Sequence, residues 1–205
     1  MKVLIINGSP HIDGTTMRAL KEVENTLNKE GIDTEIIQIG NKPIRGCIAC
    51  GSCHKNGKCV FDDMVNEVAP KFQQADGIII GSPTYFSSAT GTLRAFLDRL
   101  FYSTPFSKRM KVGAAVVASR RAGSTSVFDE INKYFTIREM PIASSTYWNE
   151  IHGFNKNDAE KDLEGLQTMR NLGRNMAFLI KAINKNKDEI SENEYDNFTS
   201  FSDGL

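Results

Sequence analysis

The chain has 205 residues, of which 25 are Lys or Arg and 25 are Asp or Glu; this is the size of one α/β domain able to bury a core. The charges cancel, so no net field draws it to nucleic acid or to an anionic membrane surface. Its first apolar run, residues 3–6, is too short for a signal-peptide core or a spanning helix, and a cytoplasmic protein is expected.

Residues 2–6 are a β-branched apolar run that stops at Asn7-Gly8-Ser9-Pro10, the pattern of a buried parallel strand entering a loop. The loop carries Ser9, His11, Gly14, Thr15 and Thr16 ahead of a helix over 16–29, whose apolar face is Met17, Leu20, Val23 and Leu27. Hydroxyls and helix N-terminal amides at such a turn can surround a phosphate without a lysine. The plainer reading is that Ser9 and Thr15 only cap the helix. Gly8 and Gly14 are too far apart for the nucleotide-triphosphate loop, and no dinucleotide fingerprint occurs at this turn. His11 is a further phosphate donor or a surface histidine, and Asp13 has to point away from any anion held there.

Residues 34–39 read as the second strand. All four cysteines follow it as Cys47-x2-Cys50-x2-Cys53-x5-Cys59, with Gly46, Gly51 and Gly57 to let the chain curl. In a reducing compartment such crowding points to metal or redox chemistry rather than to disulfides. The first three cysteines copy the ferredoxin run and Cys59 has no second set to serve, so a single cubane cluster using all four follows. Structural zinc, usually held by two separated pairs, and a regulatory thiol set are the alternatives. His54 beside the run either tunes the site by hydrogen bonding or is polar surface.

A helix over 62–74 leads to a third strand over 77–80, which ends in Gly81-Ser82-Pro83-Thr84-Tyr85-Phe86-Ser87-Ser88 before a helix over 90–102. Pro83, Thr84, Tyr85, Phe86 and Ser87 offer an aromatic wall with open amides, which suits a flat heterocycle with polar rims; the alternative makes Tyr85 and Phe86 plain core aromatics. Asp98 and Arg99 read as structural, an ion pair or a helix-end interaction. The fourth strand, 111–118, runs into Ser119, Arg120, Arg121 and Gly123, where small residues and a positive charge can approach one side of such a ring; a solvated basic turn is the alternative. A helix over 125–136 and a fifth strand over 140–147 follow, after which Trp148 and Asn149 either cover a ring or pack. A helix over 158–183 sets Leu163, Leu166, Met169, Leu172, Met176, Leu179 and Ile183 on one stripe. The division expected is a domain of residues 1–183 and a polar, mobile tail of residues 184–205, with Phe198 and Phe201 able to anchor the tail on a neighbour. The alternation implies right-handed crossovers, a parallel sheet covered on both faces, and a ligand site at the carboxyl ends of the strands.

The Gly8-Ser9-Pro10 loop closing on Gly14-Thr15-Thr16, with the Pro83-x-Tyr85 segment, resembles the NAD(P)H-dependent FMN reductase branch of the flavodoxin-like superfamily over about residues 1 to 180. The resemblance implies a flavodoxin-like three-layer sandwich with a five-stranded parallel sheet in the order 2-1-3-4-5. It also implies that Ser9, His11, Gly14, Thr15 and Thr16 hold the FMN phosphate, that the segment from Pro83 to Ser87 walls the ring, and that a homodimer or homotetramer closes over the flavin. FMN rather than FAD fits a loop with no second nucleotide motif. The cysteine pattern on such a chain resembles the iron-sulfur flavoproteins of anaerobic prokaryotes, implying that Cys47, Cys50, Cys53 and Cys59 bind one 4Fe-4S cluster beside FMN; Val60 stands where a proline would follow the last cysteine.

The function implied is an FMN-dependent oxidoreductase passing electrons between NAD(P)H or ferredoxin, FMN and the cluster, with a small-molecule acceptor or ferredoxin as partner. The flavin carries the chemistry, so no side-chain nucleophile or general base is expected among His11, His54 and His152. Two alternatives stand beside it: an NAD(P)H-dependent flavin, quinone or nitro-compound reductase without a cluster, and a non-catalytic carrier or thiol or zinc redox sensor.

Overall fold

The structure is a computed structural model that describes residues 1–197 and 199; Phe198 and Phe201, with the anchoring expected of them, lie outside the described residues. The elements in chain order are β1 Lys2–Asn7, α1 Thr15–Lys29, β2 Asp33–Gln38, the single turn α2 Ser52–Asn56, α3 Met64–Gln74, β3 Gly77–Pro83, α4 Gly91–Ser103, β4 Val112–Ser119, α5 Ser124–Thr136, β5 Glu150–His152, α6 Lys156–Ala159 and α7 Leu163–Lys185. The strands form one parallel sheet in the order β2-β1-β3-β4-β5.

Strand periodicity divides the interior into two layers. Val3 and Ile5 face α1 and α7, where Leu20, Val23, Leu27, Met169, Leu172 and Met176 are buried. Leu4 and Ile6 face the other side, against Phe72 of α3, Phe96 and Leu100 of α4, and Phe135 of α5. With both faces covered, β1, β3 and β4 are continuous apolar runs, as buried parallel strands are.

The fifth strand is not at 140–147. That stretch touches β4 at one bridge, Gly113 to Ile142, and then leaves the sheet because its own polar groups close a loop. Ser145 Oγ makes hydrogen bonds with the Tyr147 carbonyl and with Asn149 Oδ1, both at 2.7 Å, and Asn149 Nδ2 donates to the Ala115 carbonyl at 3.0 Å. β5 is instead the short segment Glu150–His152, paired with Val117, Ala118 and Ser119. The long helix also differs, since α6 ends at Ala159 and α7 begins afresh where Asp162 Oδ1 accepts from the Gly165 amide at 2.9 Å. Leu163, in that first turn, is exposed, whereas Leu166, Met169, Leu172 and Met176 are buried and Leu179 and Ile183 pack at the edge of the core.

No helix among the described residues is long and apolar enough to cross a membrane. After α7 the polar segment lies against the corner before β4, where Arg109 Nη2 donates to the Ser191 carbonyl at 2.7 Å and the Tyr195 hydroxyl donates to Glu139 at 3.2 Å.

Candidate functional site

The carboxyl ends of β1, β3, β4 and β5 open on one cleft of about 700 Å³. Its first wall is the loop after β1, which a set of internal bonds holds rigid. Asn7 Oδ1 accepts from the Ser9 amide at 3.1 Å, and Gln38 Nε2 donates to the Ser9 carbonyl at 2.6 Å. Across the loop, the Gly8 amide donates to the Gly81 carbonyl at 2.8 Å and Thr90 Oγ1 to the Gly8 carbonyl at 2.9 Å. Gly40 packs so close beneath that a Cβ there would meet the Gly8 and Ser9 carbonyls.

Ser9 and Thr15 do not cap α1. Ser9 Oγ accepts from the His11 amide at 3.2 Å, Thr15 Oγ1 donates to the Gly153 carbonyl at 3.3 Å, and the N-cap is Gly14, which has no side chain to offer. The first-turn amides of a 15-residue helix are therefore left without a capping acceptor at the cleft, together with the positive end of its dipole.

The opposite wall is Pro83, Thr84 and Tyr85 at the end of β3 and Ser119 and Arg120 at the end of β4. Thr84 is pinned to β4, its amide and hydroxyl both donating to the Ala118 carbonyl at 2.9 and 3.1 Å. Ser119 is 5 % exposed and its Oγ finds no hydrogen-bond partner among the described residues, so a buried hydroxyl stands ready beside the cleft.

The cleft thus gathers Ser9, His11, Gly14, Thr15, Thr16, Pro83, Thr84, Tyr85, Ser119 and Arg120. Phe86, Ser87, Arg121 and Gly123 are not in its lining. Tyr85 and Ser88 exchange backbone hydrogen bonds across Phe86 and Ser87, both at positive φ, and this tight turn leaves the Phe86 side chain fully exposed. Gly123, also at positive φ, meets the outer side of that turn at Ser87.

Gly153, Phe154, Asn155 and Lys156 complete the lining, and sequence reasoning missed them. Their signal was position, since they follow the fifth strand as binding loops do. Lys156 Nζ lies 2.8 Å from Asp13 Oδ1, so a lysine does reach the loop after β1, and it neutralises the carboxylate there.

The cysteines form a second site. All four line one largely apolar cavity of about 430 Å³, with Phe61, Tyr102 and Ile137 among its walls. Cys47 and Cys50 are exposed, Cys53 and Cys59 half-buried. Among the described residues no three of His, Cys, Asp and Glu converge closely enough to hold a single metal ion. His54 Nε2 pairs with the Tyr102 hydroxyl at 2.8 Å rather than with sulfur. Asp98 and Arg99 do not pair with each other: Asp98 accepts from the Tyr134 hydroxyl at 2.5 Å, while Arg99 turns inward to Asp63 at 2.6 Å. Burial works against the charge on Arg99, but Asp63 and then Cys59 outweigh it and raise its pKa; burial likewise pushes the Tyr134 phenol up, helped by Asp98.

The cleft fits a ligand with an anionic end and a flat, polar-rimmed body, the uncapped helix terminus serving the first and Tyr85 with the Ser119 hydroxyl the second. The thiol cavity brings four potential sulfur ligands to one wall system, the donor type that both iron-sulfur clusters and zinc accept. The cavity lies against the second half of α4, whereas the N-cap of that helix, Thr90, bonds the Gly8 carbonyl in the loop that forms the cleft's first wall.

Residues 1–154 match the family described as NADPH-dependent FMN reductase. The chain is 38 % identical over 196 residues to an iron-sulfur flavoprotein of Methanocaldococcus jannaschii, covering 90 % of this chain and 100 % of that one. It is 30 % identical over 193 residues to an iron-sulfur flavoprotein of Methanosarcina thermophila, covering 92 % and 100 %. A solved flavodoxin from the domain Archaea superposes with a TM-score of 0.60 at 17 % identity, covering 88 % of this chain and 99 % of that one; its likeness is one of fold.

Proposed function

Since the chain belongs to the NADPH-dependent FMN reductase family and is an FMN flavoprotein oxidoreductase, we propose that it carries a 4Fe-4S cluster on Cys47, Cys50, Cys53 and Cys59 and passes electrons between NAD(P)H or ferredoxin and an acceptor. The observation that carries the reading is that all four thiols line a single cavity. When bound, FMN supplies two-electron chemistry and the cluster one-electron chemistry; the protein's part is to hold both.

The first-turn amides of α1, with Ser9 and Thr16, receive the phosphate, and Lys156 offsets the charge of Asp13 beside it. Tyr85 walls the ring, Ser119 donates to its polar edge, and Arg120 rather than Arg121 supplies positive charge to the cleft. With FMN bound, that charge would tune the ring's electronics. No side chain in the cleft is needed as nucleophile or general base. The reading includes a homodimer or homotetramer, supported by a fully exposed Phe86 at the cleft's rim and by Ile137 and Tyr102 exposed at the thiol cavity.

Anaerobic purification followed by absorbance, iron and sulfide analysis tests the reading. It predicts iron and sulfide in equal amounts at the content of one cubane per chain, and bleaching of the flavin on addition of NAD(P)H or reduced ferredoxin. Flavin that bleaches in protein without iron leaves a reductase without a cluster, and no bleaching with either donor overturns the electron-transfer reading. Equilibrium sedimentation returning only monomer removes the self-association.

A further inference from the structure

Of the four cysteine sulfurs, that of Cys59 alone receives a hydrogen bond from a charged side chain among the described residues: Arg99 Nε donates to it at 3.2 Å. Arg99 is 1 % exposed, and its remaining donors are all committed. Nη1 donates to Asp63 Oδ2 at 2.6 Å and to the Arg45 carbonyl at 3.0 Å, and Nη2 donates to Asp63 Oδ1 at 2.9 Å and to the Phe61 carbonyl at 3.5 Å. The ring of Phe61 lies 5.0 Å from the guanidinium carbon. One side chain on a rigid helix therefore ties the chain just before the first cysteine, the last cysteine itself, and the N-cap of α3 beyond it.

We propose that Arg99 is a positioning residue for the cluster: it fixes Cys59 before the cluster is loaded and raises the cluster's reduction potential by holding a charged donor on that sulfur. The inference rests on the iron-sulfur reading above. Reduction adds negative charge to the cluster, and hydrogen bonds to its sulfurs together with the net charge nearby set its potential. A guanidinium cut off from water acts at low dielectric, where a charge-assisted donor is strong. Asp63 opposes the effect, since its carboxylate compensates most of the charge. The pair thus predicts shifts of opposite sign. Arg99→Gln removes the cation and leaves Asp63 uncompensated, so the potential falls. Asp63→Asn keeps a capping side chain on α3 and leaves the guanidinium uncompensated beside Cys59, so the potential rises.

The test is an anaerobic redox titration of cluster-loaded protein followed by electron paramagnetic resonance, with the flavin potential read from absorbance in the same samples. Expected are a lower cluster potential in Arg99→Gln, partial recovery in Arg99→Lys, a higher one in Asp63→Asn, and an unmoved flavin potential in all three. Shifts of the same sign, no shift, or an equal shift of the flavin overturn the proposal. If Arg99→Gln does not fold, the sign for Asp63→Asn decides alone. Wild-type protein that takes up no iron defeats the iron-sulfur reading and this inference with it, whereas a loaded wild type with unshifted variants defeats this inference only.

Discussion

Gly40 lies outside the cleft lining, yet replacing it should cost the protein its flavin. Its backbone is ordinary, so the reason for glycine is space: a Cβ would come under 3.0 Å from three backbone atoms, the Ser9 oxygen, the Ser9 carbon and the Gly8 oxygen. Backbone cannot rotate aside as a flexible side chain does. Restoring van der Waals separation requires the Gly8–Ser9 segment to move by about 1 Å. That segment is held by Asn7, Gln38, Gly81 and Thr90, so Gly40→Ala acts as overpacking and should destabilise the flavin-free protein by about 1–3 kcal/mol. The same movement pulls Ser9 away from the α1 terminus and breaks up the phosphate cradle. Losing one hydrogen bond to a charged group is worth about 1.5–3 kcal/mol, which weakens FMN binding by about 10- to 150-fold. Titration of flavin-stripped protein by FMN fluorescence reads the affinity, and thermal unfolding with and without FMN reads both terms, since the ligand's stabilisation shrinks as its Kd rises. A variant that melts as the wild type does and binds FMN with unchanged affinity would refute the placement of this loop over Gly40.

Asp13 and Lys156 face each other across the mouth of the phosphate loop, both largely exposed, so their effects are small and opposite. Asp13→Asn should tighten FMN binding and Lys156→Ala should weaken it, each by about two- to five-fold and less at high salt; the same direction for both removes the charge argument. Lys108 supplies a pH dependence. It is buried, donates to the Thr104 and Phe106 carbonyls at 3.0 and 3.1 Å, and has its pKa pushed down from 10.5 to about 8 by burial, with Arg138 and Lys111 adding to it. Between those values the unfolded chain binds more protons than the folded one, so stability rises with pH across that window, by at most about 3 kcal/mol. The stability of the wild type relative to Lys108→Gln, from urea unfolding at pH 7.5 to 10.5 in about half-unit steps, should climb with pH; a flat difference means that Lys108 is not desolvated.

The residues that line the cleft were legible where sequence neighbours remain neighbours in space. Gly8, Ser9 and Gly14 lie in one loop between a strand and a helix, and Pro83 to Tyr85 in another, so apolar runs and turn residues located both. The wall after β5 was not legible, because an edge strand of three residues reading Glu-Ile-His has no alternation to detect, while Met140, Ile142 and Ala143 imitate a strand that the hydrogen bonds of Ser145 and Asn149 prevent. Misplacing that strand hid Lys156. Arg99 was hidden for a different reason. Adjacent residues on a helix point about 100° apart and cannot face each other, so Asp98 reaches outward to Tyr134 and Arg99 inward to partners more than thirty positions earlier.

α4 connects the two sites. Thr90, at its N-cap, holds the Gly8 carbonyl of the phosphate loop, and Arg99, two turns on, holds the cysteine segment. A helix of 13 residues spans about 20 Å, and its buried face of Leu93, Phe96, Leu97 and Leu100 is packed into the core, so the separation is set by helical geometry rather than by loop motion. The energetics of the two ends should therefore be independent: mutations more than about 7–10 Å apart that share no partner add. Gly40→Ala should loosen FMN and leave the Cys59 contact with Arg99 intact, and Arg99→Gln should move the potential at the thiols while leaving the affinity for FMN where it was.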